Sequence, residues 1–486
     1  MTVFRNQFLS RFMLVGLIVG LTLAGIGCGG SMKPSPAGNG VPVSLAIRDT
    51  PPNGVAVLFF ETSITGVSLQ PTDSKKPAVS LMNAPIEVEF GHLQTDTAFL
   101  SLGSATPDDY QSATLTFDNA VLTIVNHSGA SIGGCSDNSV CVLKPSFNPT
   151  TATVTGASFP ITISQNSVVG IELDFDVAAS IQNDLSINPT VTVKNLIQRD
   201  DADESQEMEK VDEIDGKVTT LATNQFTLTN ESSGQSFTTM VDSNTVYQDF
   251  DRSGCTASPA DFTCVQAGQI LDVELSENGM GSMLAKRVEF EEDANHQVLK
   301  GTITSVDSTT QFHMVVFNEE PAGTGIDEGS PLTVTIAVNA VFEVGREETG
   351  EDGGFDMSGF SFASGADLLV GQDVQIRPGT ISSSGGQTTV TADLVRLWPS
   401  QISGQVGNID QSTGNFTLTP TSPLFTGTMP AINTINVVTL SNMNTEDFSG
   451  LGSLMAGSTV SVKGLLFNTS PTPTLVTRTM REEQGD

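Results

Sequence analysis

An internal repeat in the second half of this 486-residue chain sets the strongest limit on its fold. Each copy has a Gly-x-Val or Gly-x-Ile start, a Phe-led alternating stretch about ten residues later, and an Ala/Val-Gly-Gln/Ser signature further on. These features recur at Gly216, Phe226 and Gly268, at Gly301, Phe312 and Gly371, and at Gly404, Phe416 and Gly457. A copy of about a hundred residues is long enough to bury its own core, so we expect three small domains rather than solenoid turns.

Apolar and polar residues alternate along most of the chain, as in Val43–Ile47, Thr114–Phe117 and Ile171–Phe175. A period of two residues is typical of strands with one buried face, and Gly, Asn, Asp and Pro fill the gaps between these runs. The sequence therefore predicts an all-β fold. Gly residues at the strand bends of each repeat favour a small, strongly bent barrel.

A run from Asp200 to Asp215 carries nine acidic residues and one Lys. Such a run repels itself and stays solvated, so we interpret it as a linker or a short exposed helix, with a cation site as the weaker alternative. The predicted organisation is a signal peptide at residues 1–27, a flexible tether at 28–41, a β-sandwich at 42–198, an acidic linker at 199–214, and barrel repeats at 215–296, 297–399 and 400–486.

The N-terminus has the pattern of an export signal. Arg5 and Arg11 precede an apolar run from Phe12 to Ile26, which is short for a membrane span but suits a signal peptide. The run ends in small residues before Cys28, which resembles the lipobox of bacterial lipoproteins, although Gly25 stands where Leu is usual. That resemblance implies cleavage before Cys28 and attachment of lipid to its thiol. The alternative is an ordinary secretory signal with an incidental Cys.

The other four Cys residues form two close pairs, Cys135 with Cys141 and Cys255 with Cys264, each in a Gly/Ser/Asp-rich stretch. Short loops closed by disulfides are typical of oxidising compartments. A zinc site is the competing interpretation, but the spacings are too wide for C-x-x-C and no His lies near either pair. We therefore predict two disulfides and an exported protein.

Composition excludes several classes of function. The chain has 55 Asp and Glu residues against 21 Lys and Arg, a net charge of -34. Nucleic acids are bound through Lys and Arg, so we expect no nucleic-acid partner. One Trp, two Tyr and four His leave few residues for stacking, metal or acid–base chemistry.

Two motifs of catalysis are missing from the sequence. It contains no phosphate-binding G-x-x-x-x-G-K-[ST] and no H-E-x-x-H. His92, His127, His296 and His313 lie far apart, so a catalytic triad would have to assemble in space. We expect no enzyme activity and no cofactor, and dispersed acids give only weak support to a hydrolase.

One segment opens like a calcium loop. Asp249, Asp251 and Ser253 place oxygen atoms at the first, third and fifth positions, and Gly254 follows at the sixth. The twelfth position, where a bidentate Glu is needed, is Ala260. A turn held by a disulfide at Cys255 is the simpler interpretation, and calcium is the alternative.

Two resemblances cover most of the mature chain. The repeat is similar to an uncharacterised barrel-like domain found in tandem in secreted bacterial proteins. Residues 43–196 resemble a second uncharacterised domain of bacterial lipoproteins, through Arg48-Asp49-Thr50-Pro51, Pro107-Asp108-Asp109-Tyr110 and Leu173-Asp174-Phe175-Asp176. The resemblance implies an N-terminal β-sandwich of immunoglobulin or transthyretin type followed by three small barrels, and it brings no activity.

These observations together predict a lipid-anchored protein of the bacterial cell envelope, attached to a membrane through Cys28. Since Gly29 and not Asp follows Cys28, the lipoprotein resemblance implies the outer membrane, on its periplasmic or surface face. We expect a non-catalytic binding or scaffolding protein shaped as an extended rod, with an envelope protein or a polysaccharide as its partner. A carbohydrate-binding or adhesion lipoprotein is the alternative, although Trp and Tyr are scarce.

Overall fold

A computed structural model describes most of the chain. The described residues are 40–50, 56–156, 158–165, 167–200, 211–229, 236–250, 252–277, 283–293, 297–321, 323–345, 359–428, 430–446 and 450–482. The predicted signal peptide, Cys28, nearly all of the tether and residues 201–210 of the acidic run lie outside these ranges. In the described part of the chain the longest helices have four residues, so none could span a bilayer.

The N-terminal domain is built from two sheets that share one core. Its strands are β1 (Val41–Thr50), β2 (Ala56–Pro71), β3 (Val79–Ser80), β4 (Ile86–Glu89), β5 (Ala98–Ala105), β6 (Asp108–Asn126), β7 (Ser139–Leu143), β8 (Thr151–Val154), β9 (Ile161–Ile163), β10 (Ser167–Asp176) and β11 (Val191–Asp200), with α1 (Val177–Ser180) after β10. One sheet has the order β11-β10-β1-β5. The other has the order β3-β2-β6-β7, with β4 on β2 and with β8 and β9 on β6. Leu45 and Ile171 of the first sheet and Phe60 and Leu122 of the second are buried in the same core.

The three repeats form three small barrels, of which barrel 1 has six strands and barrels 2 and 3 have five each. Barrel 1 contains β12 (Val211–Ala222), β13 (Gln225–Thr229), β14 (Ser236–Met240), β15 (Val246–Gln248), β16 (Gln269–Glu277) and β17 (Met283–Asp293). Barrel 2 contains β18 (Val298–Ser308), β19 (Gln311–Glu320), β20 (Pro331–Val344), β21 (Asp373–Ser384) and β22 (Gln387–Trp398). Barrel 3 contains β23 (Ser400–Ile409), β24 (Phe416–Pro420), α2 (Pro423–Thr426), β25 (Ile435–Glu446), β26 (Thr459–Phe467) and β27 (Thr474–Glu482). The predictions of an all-β chain and of barrel repeats are confirmed.

All three barrels have the same strand order. Barrels 2 and 3 close as β18-β19-β20-β22-β21 and β23-β24-β25-β27-β26, with the third and fifth strands parallel. This Greek-key order is that of the OB-fold. In barrel 1 the third strand is interrupted, so β14 and β15 pair separately with β17. In barrel 2 the equivalent strand β20 is continuous and shifts its register on β22 between Ile336 and Val341.

The repeat signature has a structural explanation. A Cβ atom on Gly301 would lie 2.4 Å from the carbonyl oxygen of Val315, so only Gly lets the first two strands of barrel 2 approach this closely. Phe312, which follows it, is fully buried in the barrel core. Gly371 has a φ of +84° at the turn before β21, which favours Gly. The Oε1 atom of Gln372 accepts a hydrogen bond from the Leu369 N–H at 2.6 Å and fastens this turn.

The barrels pack on both faces of the sandwich. Phe99 of β5 meets Phe237 of barrel 1, with ring centroids 5.9 Å apart. On the opposite sheet, Phe59 of β2 packs with Val315 of barrel 2 and Leu424 of barrel 3. The expectation of an extended rod is therefore wrong, because the described residues belong to one compact unit. The physical reason is that both outer faces of the sandwich carry large apolar side chains that need cover.

Short connections and buried charges join neighbouring barrels. β22 ends at Trp398 and β23 begins at Ser400, which leaves one residue between barrels 2 and 3. The Lys300 ammonium lies 2.9 Å from the Glu291 carboxylate of barrel 1 and 4.2 Å from the centroid of the Trp398 ring. Barrel 1 was predicted to begin at residue 215. Its first strand, β12, begins four residues earlier at Val211, because Val211 and Ile214 pair with β16.

Candidate functional site

Both predicted disulfides are present. The Cys135–Cys141 bond ties β7 to the loop that precedes it, and the Cys255–Cys264 bond closes a loop of barrel 1. Disulfides persist in oxidising compartments, so they indicate an extracytoplasmic location. Cys28 lies outside the described residues, and its lipidation stays a prediction.

The segment with the calcium-loop spacing is occupied by contacts within the protein. The Asp249 carboxylate lies 3.1 Å from the Arg252 guanidinium, and the Ser253 hydroxyl donates to the Phe250 carbonyl at 2.7 Å. Asp251 lies outside the described residues. Within the described ranges no three His, Cys, Asp or Glu side chains converge as metal ligands. Calcium binding at this loop stays a prediction, and a cation would have to displace the Arg252 contact.

A cleft of about 710 Å³ opens on the surface of barrel 1, and we call it the Tyr247 cleft. One wall is β15 with the turn 242–245 before it. The other wall is the segment 259–263, which carries Asp261 and Phe262 and is held by the Cys255–Cys264 disulfide. The Phe262 ring stacks on the buried Phe226 ring at 6.4 Å, which fixes this wall to the barrel core.

Tyr247 has an unusual environment in this cleft. Its hydroxyl oxygen is buried and has no hydrogen-bond partner in the described part of the chain. Burial, followed by the charges of Asp261 and Asp242, raises the pKa of Tyr247 to about 12, so the phenol is protonated. Hydrogen bonds from the hydroxyl and the N–H of Thr263 lower the pKa of Asp261, which is therefore ionised. The cleft thus presents the exposed carboxylates of Asp242 and Asp261, whereas the Tyr247 hydroxyl is shielded from solvent.

A second groove, of about 770 Å³, runs between barrels 2 and 3. Its walls are the segments 304–306, 368–370, 427–428, 430–434 and 468–473, and His127 of the sandwich also lines it. No Asp, Glu, Lys or Arg lines its described walls, although the whole chain carries a net charge of -34. This groove therefore suits uncharged ligands, but its side chains are mostly Thr, Asn, Ser and Pro and provide no aromatic platform.

A polar junction joins the sandwich to barrel 3. The side-chain oxygen of Gln401 accepts hydrogen bonds from the N–H groups of Gln94 and Thr95 at 3.0 and 3.2 Å. Its amide nitrogen donates to the carbonyl of His92 and to the carboxylate of Asp96. One side chain therefore satisfies four polar groups of the sandwich, and sequence patterns did not predict this role.

Buried charges complete the junction. The Lys463 ammonium lies 3.3 Å from Asp96, and the buried Arg481 guanidinium donates to the carbonyl of Gln94 at 2.7 Å. The small cavity beside them measures about 70 Å³, room for only a few water molecules. We interpret this junction as a rigid joint between domains and not as a ligand site.

His92 of the sandwich and Asp373 of barrel 2 both line this small cavity. Burial alone would lower the pKa of His92, but the Glu89 carboxylate 2.7 Å away outweighs it and raises that pKa. Burial raises the pKa of Asp373 to about 6, against the opposing charge of His92 and a hydrogen bond from Thr302. Perturbed pKa values accompany both functional sites and structural ion pairs. The enclosed position of these groups favours the structural role.

The four His residues lie far apart in the sequence, and we predicted a site role for none of them. His313 lies on β19 and contacts Asp307 at 2.9 Å, His127 borders the groove between barrels 2 and 3, and His296 lies outside the described residues. Of the three His residues in the described ranges, His92 is the one that lies in a cluster of several charged groups. The Tyr247 cleft was also missed, because its two walls come from segments about fifteen residues apart with no shared motif.

Comparison with solved structures gives only weak likenesses. A deletion mutant of the single-stranded DNA-binding protein from Thermus aquaticus is 13% identical over 39% of this chain and 95% of that chain, with a TM-score of 0.15. Drosophila Unr CSD456 is 10% identical over 56% and 97% of the two chains, with a TM-score of 0.12. A multidomain protein with nucleic acid binding domains from Streptococcus pneumoniae is 9% identical over 55% and 72%, with a TM-score of 0.11. At these scores neither fold nor ligand transfers to this chain.

Comparison with protein families assigns one stretch of the chain. No curated protein matches the sequence. A family model described as "Domain of unknown function" (DUF5666) matches residues 215–289. This range covers most of barrel 1, including both walls of the Tyr247 cleft. The chain is therefore similar, in its first repeat, to a domain family without a known activity.

Proposed function

We propose that this protein is an exported, lipid-anchored protein of the bacterial cell envelope that binds or scaffolds other molecules without catalysis. The signal-like N-terminus and the small residues before Cys28 support the anchor, and the two disulfides support export. The outer membrane is the proposed destination, and an envelope protein or a polysaccharide is the proposed partner. The net charge of -34 argues against nucleic acid as a partner.

The observation that carries the binding role is the rigid arrangement of clefts. Gln401, Lys463 and Arg481 lock barrel 3 to the sandwich, and Lys300 joins barrels 1 and 2 through Glu291. The Tyr247 cleft and the groove between barrels 2 and 3 therefore keep fixed positions. Preorganised surfaces of this kind favour binding because little conformational entropy is lost when the partner associates.

The anchor is tested on protein from the native membrane. Mass spectrometry of its N-terminal peptide is expected to show Cys28 as the first residue with lipid attached, and Cys28→Ser is expected to release the protein from the membrane fraction. Cys255→Ser with Cys264→Ser is the control, since it replaces two other Cys residues, which form a disulfide, without touching the anchor. An unmodified Cys28, or a Cys28→Ser protein that stays in the membrane fraction, would overturn the lipid anchor.

Carbohydrate binding is the second candidate function. It is favoured by the Tyr247 cleft, which combines a phenol, a second aromatic ring and carboxylates, the groups that commonly contact sugars. A screen of the full chain carrying Cys28→Ser against envelope and plant polysaccharides tests it. Absence of binding across the screen would remove the adhesion role and leave the scaffolding role.

A further inference from the structure

We propose that the groove between barrels 2 and 3 binds an extended, uncharged peptide segment of an envelope protein, which adds as a strand along the open edge of β18. This inference rests on the proposed binding role and names the kind of partner and its site. It is carried by the open strand edge, the lack of charged residues in the described walls of the groove, and the fixed position of those walls.

The edge of β18 that faces away from β19 is open in its second half. The last backbone bonds on this side join Ile303 to Gly371 and Gln372, and beyond them no described strand pairs with this edge. Residues 304–306 line the groove, and so do residues 368–370, which directly precede the partners of Ile303. The groove therefore lies on the open side of β18. Unpaired N–H and C=O groups of a strand edge are a template on which an extended peptide can add as a further strand.

The described walls of the groove carry no permanent charge. None of the residues that line it is Asp, Glu, Lys or Arg, although these residues make up 16% of the chain and normally lie on protein surfaces. A charged side chain that entered the groove would lose hydration without gaining a counter-charge from the walls, which is costly. The groove therefore selects a segment without charged side chains.

Polar side chains of the groove match the amide groups of a peptide. Asn433 and Thr434 are exposed in one wall, and their side chains make no hydrogen bond within the described chain. A carboxamide carries donors and an acceptor, so Asn433 can pair with both a C=O and an N–H of a bound backbone. An aromatic ring offers an apolar surface to the C–H face of a sugar, but no Phe, Tyr or Trp lines the described groove. A peptide therefore fits this lining better than a polysaccharide.

Apolar side chains lie between these polar groups. Val306 and Leu369 of barrel 2 and Ile432 of barrel 3 line the groove. Successive side chains of an extended strand point to opposite faces, so every second side chain of an added strand can contact these apolar groups. The barrel 3 walls include Pro430 and Pro473, which have no N–H to donate to a further strand. The peptide is therefore expected to pair with β18.

Contacts within the protein hold the walls in place. The Gln372 side-chain amide donates to a carbonyl of β26 at 2.8 Å and joins barrel 2 to barrel 3. The Asn468 amide donates to the Leu368 carbonyl at 3.2 Å across the same boundary. A Cβ atom on Gly427 would overlap the His127 ring, so this wall rests directly on the sandwich. Because the groove is formed before a ligand arrives, little conformational entropy of the protein is lost on binding.

Selection from a random dodecapeptide library on phage, with the full chain carrying Cys28→Ser as the target, tests the inference. We expect the enriched peptides to lack Asp, Glu, Lys and Arg, and synthetic copies of them to bind in fluorescence polarisation. Ala431→Arg places a long side chain at an exposed position of the groove and is expected to weaken this binding at least tenfold. Ala222→Arg is the matched control, because Ala222 is exposed on barrel 1 outside the groove, and it should bind like the parent chain. Both variants are expected to keep the parent melting temperature, so loss of binding cannot be attributed to unfolding.

N-methylation of the selected peptide tests strand addition. Each N-methyl group removes one backbone N–H, and successive N–H groups of a strand point to opposite sides. Methylation at alternate residues is expected to abolish binding, and methylation at the residues between them is expected to leave the affinity largely unchanged.

Several results would overturn parts of the inference. If no peptide is enriched, or if the enriched peptides are charged, the ligand class is wrong. Equal affinity of Ala431→Arg and the parent would overturn the groove assignment while leaving a peptide-binding role elsewhere on the chain. The same response to methylation at every position would overturn strand addition. A neutral hexasaccharide of glucose, xylose, mannose or N-acetylglucosamine that binds the parent but not Ala431→Arg would assign the groove to sugars instead. The membrane experiment with Cys28 decides the anchor separately.

Discussion

Glu328 lies in the loop between β19 and β20, where barrel 2 meets the sandwich. The adjacent Gly329 accepts a hydrogen bond from the Thr123 hydroxyl of β6 at 2.7 Å, so this loop is fastened to the sandwich. Burial, followed by the negative charge of Glu61, raises the pKa of Glu328 to about 8. We therefore predict that Glu328→Gln stabilises the protein at alkaline pH.

The magnitude follows from the pKa values. An ordinary Glu has a pKa of 4.5 and Glu328 about 8, which corresponds to about 5 kcal/mol at 1.36 kcal/mol per pH unit. The side chain keeps some contact with solvent and accepts the Glu319 N–H at 3.1 Å. We therefore expect ionised Glu328 to lower the free energy of unfolding by about 2–3 kcal/mol. Because the folded-state pKa is the higher one, the folded protein binds the proton more tightly. Stability is therefore full below pH 4.5 and is lost as the pH rises towards 8.

Thermal unfolding of Glu328→Gln and of the parent chain, followed at several pH values, measures this effect. The variant should melt roughly 2–3 °C higher at about pH 8.5, and the difference should fall towards zero at about pH 4. Asp327→Asn is the control, because it makes the same charge change at the exposed neighbouring residue and should shift the melting temperature by little. A difference that does not vary with pH, or a variant that melts lower at pH 8.5, would refute the reasoning.

Three further predictions concern barrel 1 and the junction. Cys255→Ser with Cys264→Ser opens a loop of sequence separation 9, and it should cost about 2–3 kcal/mol of stability in urea unfolding; an unchanged midpoint would contradict a structural disulfide. Gln401→Ala leaves four polar groups of the sandwich without their partner, so it should cost about 3 kcal/mol and speed limited proteolysis. Gln405→Ala, at an exposed position on the same strand, should change neither the stability nor the rate of proteolysis. If the two variants behave alike, the junction does not stabilise the protein. Millimolar calcium should leave the melting temperature unchanged because Asp249 already contacts Arg252; a clear rise would establish a site at this loop.

Local features of the barrels were predictable from sequence. Gly301 and Phe312 recur at equivalent places in each repeat because close strand approach and a filled core are needed at those positions. The turn residue Gly371 recurs in all three copies and Gln372 in two of them, since a positive φ and a side-chain bond to the turn are local requirements. Such features depend on neighbours a few residues away or on one facing strand, so a single sequence reveals them.

The packing of the domains and the Tyr247 cleft were not predictable in this way. Phe59 and Phe99 look like ordinary strand residues in the sequence. The three-dimensional arrangement shows that Phe59 packs against barrels 2 and 3 on one sheet of the sandwich, and that Phe99 packs against barrel 1 on the other. Gln401 is one polar residue in an alternating strand, and its partners lie about 300 residues earlier. Tyr247 became a cleft residue because the third strand of barrel 1 is interrupted, which no repeat signature records.

The position of Trp398 provides a built-in spectroscopic reporter. It is the single Trp of the chain, it is buried, and it lies beneath Lys300 at the contact between barrels 1 and 2. Indole emission depends on solvent exposure and on nearby charge, so separation of these barrels would shift the spectrum. Because no other Trp contributes, intrinsic fluorescence can follow this one contact without any label. A change seen there before the β-sheet signal in circular dichroism is lost would show the domains coming apart while each is still folded.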